Sequence, residues 1–139
     1  MEAEKISKAL DNSQNEIFLN LTTKKIRKQK LKVINNLGFP IEIIKILMEK
    51  LKDYRYVDEI NHLKRGVYIR WFDLKNPEQL NLQRGGTISD IKITDTCTLI
   101  ACRNNYGNSH FHIKMDECLI FQKITDEERI ILSAMDYLE

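Results

Sequence analysis

Long apolar runs are missing from this chain of 139 residues. No stretch approaches the roughly 18 uninterrupted apolar residues that a membrane span needs, so no membrane partner is expected. No apolar leader is expected either. Met1 is followed by the acids Glu2 and Glu4, which predicts no secretory signal. Cysteine is scarce: Cys97, Cys102 and Cys118 are the only three, and none forms a C-x-x-C pair. An odd, unpaired set fits a reducing, intracellular and cytoplasmic setting. An excess of charge of one sign is nearly absent, with 22 basic residues against 20 acidic. A net charge of +2 does not imply nucleic acid on its own. Repeats and low-complexity tracts are absent too.

The motifs of common chemistries are also missing. No G-x-S-x-G elbow occurs, and no cysteine sits in a protease context. Gly85-Gly86 lacks the frame of a phosphate loop. No spacing sets a nucleophile beside a base. The expectation is a protein that is not an enzyme and carries no cofactor.

What is present is a globular composition, 42% apolar and 30% charged. The length allows one domain, or a small domain with a helical appendage. Charge is unevenly spread. Residues 1–53 hold 11 basic and 7 acidic side chains, while residues 54–139 hold 11 and 13.

Residues 1–63 read as a helical region. A short helix over Met1–Leu10 is followed by a break at Asp11-Asn12-Ser13. Ile17, Phe18, Leu19 and Leu21 suit either an added strand or the foot of the next helix. Thr22 and Thr23 offer N-caps for a helix running to about Leu37, with Gly38 as its stop. Ile26, Val33, Ile34 and Leu37 share its apolar face. Lys24, Lys25, Arg27, Lys28 and Lys32 lie elsewhere on it, and Lys30 lies beside the apolar face. No acid interrupts Leu21 to Pro40. A one-signed face of this kind serves either as a contact for nucleic acid or an acidic protein, or as a solvated surface whose acids come from elsewhere.

Pro40 suits the first turn of a second helix, Ile41 to about Leu51. Its apolar stripe is Ile43, Ile44, Leu47, Met48 and Leu51. The two helices make an αα-hairpin. A helix-turn-helix reading is weak, because IEIIKILMEKL has no Arg, Asn or Gln to read base edges. Phe39-Pro40-Ile41-Glu42-Ile43, with Ile46-Leu47 and Leu51, resembles the first helix of the F-box family. That family's following helices have no counterpart before the β region. Asp53–Tyr56 leads out of the hairpin, with a further helical turn over Val57–Leu63.

Residues 64–139 read as a small β domain closed by a helix. Val67, Ile69 and Trp71 alternate with Tyr68, Arg70 and Phe72, so this strand is expected to be covered on both faces. Parity changes between Ile88 and Ile91, which predicts a bulge near Ser89-Asp90. Cys97–Arg103 and Ser109–Met115 form a hairpin, and Cys118–Lys123 a last strand. Five antiparallel strands suit a bent sheet or a small barrel, by analogy with Tudor and Sm folds. Thr125-x-x-Glu128 is a capping box for a final helix packed on the sheet, whose buried side is Ile130, Ile131, Ala134, Tyr137 and Leu138. The fold class is α+β.

Two further site candidates lie in the β region. His110 and His112 share a face and could hold a metal, with Cys102 or Cys118 as a third ligand. Tyr68 and Arg70 could stack and pair with a single strand.

Ile120-Phe121-Gln122-Lys123-Ile124-Thr125-x-x-Glu128, followed by Ile130-Ile131-Leu132-x-Ala134-Met135-Asp136-Tyr137-Leu138, resembles the tails of small proteins of large nucleocytoplasmic DNA viruses. The resemblance implies a viral setting, in a virion or virus factory, and assigns no residue roles. The leading functional reading is a non-enzymatic interaction or assembly protein with a protein partner, viral or self. The second is a nucleic-acid-binding module using Lys24, Lys25, Arg27, Lys28, Lys30 and Lys32, with Tyr68 and Arg70.

Overall fold

The computed structural model describes residues 2–11, 13–104 and 109–138. The chain divides into two compact units, Met1–Arg55 with Ile124–Glu139, and Tyr56–Lys123. The sequence reading places the C-terminal helix with the sheet. In the structure that helix groups with the N-terminal helices.

The helical unit holds α1 (Glu2–Asp11), α2 (Thr23–Asn35), α3 (Ile41–Lys50) and α4 (Asp126–Leu138). A stretch of 3-10 helix over Ser13–Asn20 settles the two readings of that segment, neither strand nor α-helix. It delivers Phe18 into a core with Ala9, Ile26, Ile124, Ile131 and Leu132. The start of α2 is capped twice. Thr22 Oγ1 accepts the Lys25 N–H at 3.2 Å, and Asp136 of α4 accepts the Thr23 N–H at 2.8 Å and the Thr23 hydroxyl at 2.5 Å. These bonds satisfy donors that an open helix end leaves orphaned. Gly38 ends the helical run at φ +81°, a conformation that suits glycine.

The capping box of α4 is in place. Glu128 Oε1 accepts the Thr125 N–H at 2.9 Å, and Thr125 Oγ1 accepts the Glu128 N–H at 3.2 Å. The buried side of α4 differs from the sequence expectation. Glu128, Ile131 and Leu132 are buried, whereas Tyr137 and Leu138 in the last turn are 89% and 76% exposed. Glu128 is engaged from a second direction by buried Arg55, whose Nη2 lies 3.8 Å from its Oε2 and whose guanidinium sits 4.9 Å from the centroid of Phe18. Burial pulls the Arg55 pKa down, and the charge of Glu128 opposes that shift.

The sheet has six strands: β1 (Tyr54–Val57), β2 (Tyr68–Asp73), β3 (Gly86–Ile93), β4 (Thr98–Arg103), β5 (His110–Lys114) and β6 (Cys118–Lys123). Their spatial order is β1-β6-β2-β3-β4-β5, an open antiparallel sheet with β1 and β5 at its edges. This corrects the expectation of five strands and of a barrel. The extra strand is the segment read as a lead-out, and closure fails because the outer strands do not pair. The bulge falls where parity places it, between Ile88 and Asp90. One sheet face buries Val57, Ile69, Trp71, Ile88, Ile100, Cys102 and Ile120 with Leu63. Phe72 and Phe121, of opposite parity, are fully buried as well and meet edge to face at 6.1 Å. The central strand β2 is therefore covered on both sides, as its sequence predicts. Buried Gln122 holds the turn before β2, accepting the Lys64 N–H at 2.8 Å and donating to the His62 carbonyl at 3.0 Å.

Candidate functional site

The amphipathic pattern of α2 decides which of its cations are available. Ile26, Lys30 and Ile34 are buried, a stripe at i, i+4 and i+8. Lys24, Lys25, Arg27, Lys28 and Lys32 therefore point outward and are exposed. Among the described residues none of these five lies within ion-pair distance of a carboxylate. Lys25 spends one donor on the Asn20 carbonyl at 3.1 Å. Lys30 does not belong to this surface. The residue is 4% exposed, and its Nζ donates to the Leu51 carbonyl at 2.7 Å. Burial, then the neighbouring charge of Arg27, lowers its pKa from 10.5 to about 8, against a smaller opposing pull from Asp53.

Beside this helix runs a groove of about 420 Å³, formed within the helical unit by α2, α3 and α4. Apolar walls come from Ile26, Leu31, Ile41, Ile44, Met48 and Leu132. Five cations line it: Arg27, Lys30, Lys45, Lys52 and Arg129. Its lining acid, Glu49, is engaged by Lys52 at 3.4 Å, and Arg129 is bound to Asp53 at 2.8 Å. Arg27, Lys30 and Lys45 are left without an ion pair among the described residues. The rim also exposes apolar surface, with Ile41 at 61% and Leu31 at 37%. Ile43 and Ile46 are exposed too, on the flank of α3 turned away from the groove.

The other candidates are not brought together. Tyr68 and Arg70 are half-buried and occupied locally: Tyr68 Oη donates to the Arg84 carbonyl at 2.7 Å, and Arg70 Nε to the Gln83 carbonyl at 2.9 Å. They flank Gly85, where an added Cβ would stand 2.2 Å from the Ile69 carbonyl and 2.8 Å from the Tyr68 ring. Both side chains thus clamp the 83–85 loop. His110 and His112 are exposed on β5. Cys102 pairs with Phe111, on the opposite face, and is fully buried. Among the described residues no group of three His, Cys, Asp or Glu side chains is placed to hold a metal ion. A shallow recess of about 480 Å³ in the sheet unit is lined by Asp58, Asp95 and Asp116 with several threonines.

Sequence reasoning missed Lys45, Lys52 and Arg129 as partners of α2, since three helices distant in sequence create the groove. It had the signal for Lys30, which occupies the middle of the i, i+4, i+8 apolar stripe. Among the described residues no helix is long and apolar enough to cross a membrane. Comparison with protein families, curated proteins and solved structures finds no match to this chain.

Proposed function

We propose that this protein is a non-enzymatic interaction or assembly component, and that it holds an acidic, partly apolar segment of a protein partner in the α2–α3–α4 groove. One observation carries the reading: exposed Leu31 and Ile41 stand beside Arg27, Lys30 and Lys45, which have no ion pair among the described residues. Isolated exposed apolar residues are ordinary. Here they continue the apolar walls of a concave site, which is the pattern of helix-and-groove recognition. Charge complementarity selects acidic partners and speeds their encounter. The viral resemblance of the tail adds a virion or virus-factory setting to this reading.

A second reading rests on a different observation. Lys24, Lys25, Arg27, Lys28 and Lys32, with no ion pair among the described residues, lie on the exposed side of one helix, which suits a nucleic-acid backbone. Salt separates the two. Binding of an oligonucleotide should collapse between about 50 and 200 mM salt, whereas a groove contact with apolar walls responds weakly. The deciding experiment is selection of displayed random peptides on the full chain, repeated with Leu31→Glu and Ile41→Glu. The first reading expects peptides that bind the wild type and lose the variants. Tight, salt-sensitive oligonucleotide binding with no peptide recovered would overturn it.

A further inference from the structure

Among the described residues Lys30, in the groove's lining, has no ion pair, and Asp53 offsets its charge only in part. Lys30 Nζ gives one of its three N–H donors to the Leu51 carbonyl. The acids around it are committed: Asp53 to Arg129, and Glu49 to Lys52. Arg27 on α2 repels it, and Lys45 on α3 lines the same groove. A buried cation without a counter-ion is costly, and Met or Leu would fill the same stripe at no such cost. The walls around it are apolar, so an incoming anion must arrive on an apolar-flanked stem. The rim then continues outward through Leu31 and Ile41, which gives apolar contact to chain on either side of that anion. A peptide supplies such flanks.

We propose that Lys30 receives a single side-chain carboxylate of the partner, an Asp or Glu set between apolar residues. The inference rests on the protein-partner reading of the groove and names the chemistry that the groove selects. The carboxylate would accept the free N–H donors of Lys30 while Leu51 keeps its bond. Arg27 and Lys45 would favour further acids outside the groove.

The test selects short displayed peptides in parallel on the full chain and on Lys30→Met, with circular dichroism and a thermal midpoint to verify that the variant folds. Wild-type winners should share an acid flanked by apolar residues, and the Lys30→Met selection should not return them. Changing that acid to its amide should weaken binding at least tenfold. Affinity of the acidic peptide should fall roughly tenfold per pH unit above about 8, as the amine loses its proton, while the amide peptide shows no such slope. The pH arm needs no variant, so it decides the matter even if Lys30→Met unfolds. Winners shared by both proteins, or a flat pH profile, would overturn the proposal. If such peptides still lose affinity on Leu31→Glu or Ile41→Glu, the groove reading stands and only the role of Lys30 falls. Recovery of no peptide overturns both. Saturable binding of decanoate without any peptide winner would replace the peptide with a free amphiphilic acid.

Discussion

Replacing Lys30 with Met should change how stability depends on pH more than it changes stability at neutral pH. The amine has an ordinary pKa of 10.5 in the unfolded chain and about 8 in the folded one. The unfolded state therefore binds more protons across that interval, and stability rises with pH there. Below about pH 8 the penalty of burying the charge is fully present. It is relieved as pH climbs from about 8 to about 10.5. Were the amine wholly out of water, the shift would be worth about 3 kcal/mol. The groove is open to solvent, so about 1–2 kcal/mol is the fitting magnitude. At pH 7 the substitution removes that penalty but also one of the two hydrogen bonds to the Leu51 carbonyl, which keeps the Tyr54 N–H at 3.0 Å, at a cost of about 1 kcal/mol. The two nearly cancel. Urea unfolding of both proteins from pH 7 to pH 10.5 isolates the effect, because other titrating groups drop out of the difference. The wild type should gain about 1–2 kcal/mol relative to Lys30→Met over that range. A flat difference, or one of opposite sign, would refute the burial of the Lys30 ammonium.

Glu128→Ala should cost about 3–5 kcal/mol, since it removes the carboxylate that faces buried Arg55 and half of the capping box; pairing it with Arg55→Met should recover part of the loss in a double-mutant cycle. Gly85→Ala should cost more than about 2 kcal/mol by thermal unfolding, because φ is +107° and the new Cβ would collide with the Ile69 carbonyl. Burial pushes the Cys102 thiol up to about 12, so in native protein near pH 8 it should resist alkylation that proceeds readily in urea, as read by mass spectrometry.

Much of the architecture was legible where local chemistry dictates geometry. Thr125 and Glu128 are three apart, and the box they form is there. The parity change around Ser89 marked a real bulge. Tyr68 to Phe72 announced a strand covered on both sides, and burial follows both parities. What failed to show needed distant partners. β1 is four residues long and directly follows a helical run, too short for alternation to declare it. Strand spacing cannot report whether outer strands meet, so barrel and open sheet read alike. Tyr137 and Leu138 suited a buried stripe by period, yet α4 projects them outward in its last turn. The candidate site divides in the same way. The cationic face of α2 is a helix pattern and was visible, whereas the groove depends on α3 and α4 standing beside it. Arg55 read as part of a connection because Glu128, which holds it, is remote in sequence.

Hydrogen exchange by mass spectrometry on the full chain, with and without a selected acidic peptide, tests the groove most directly. Slowed exchange in residues 23–35 and 41–52 is the predicted result, with the sheet strands of residues 68–123 unaffected. Protection confined to those strands, or none at saturating peptide, would contradict the placement of the partner.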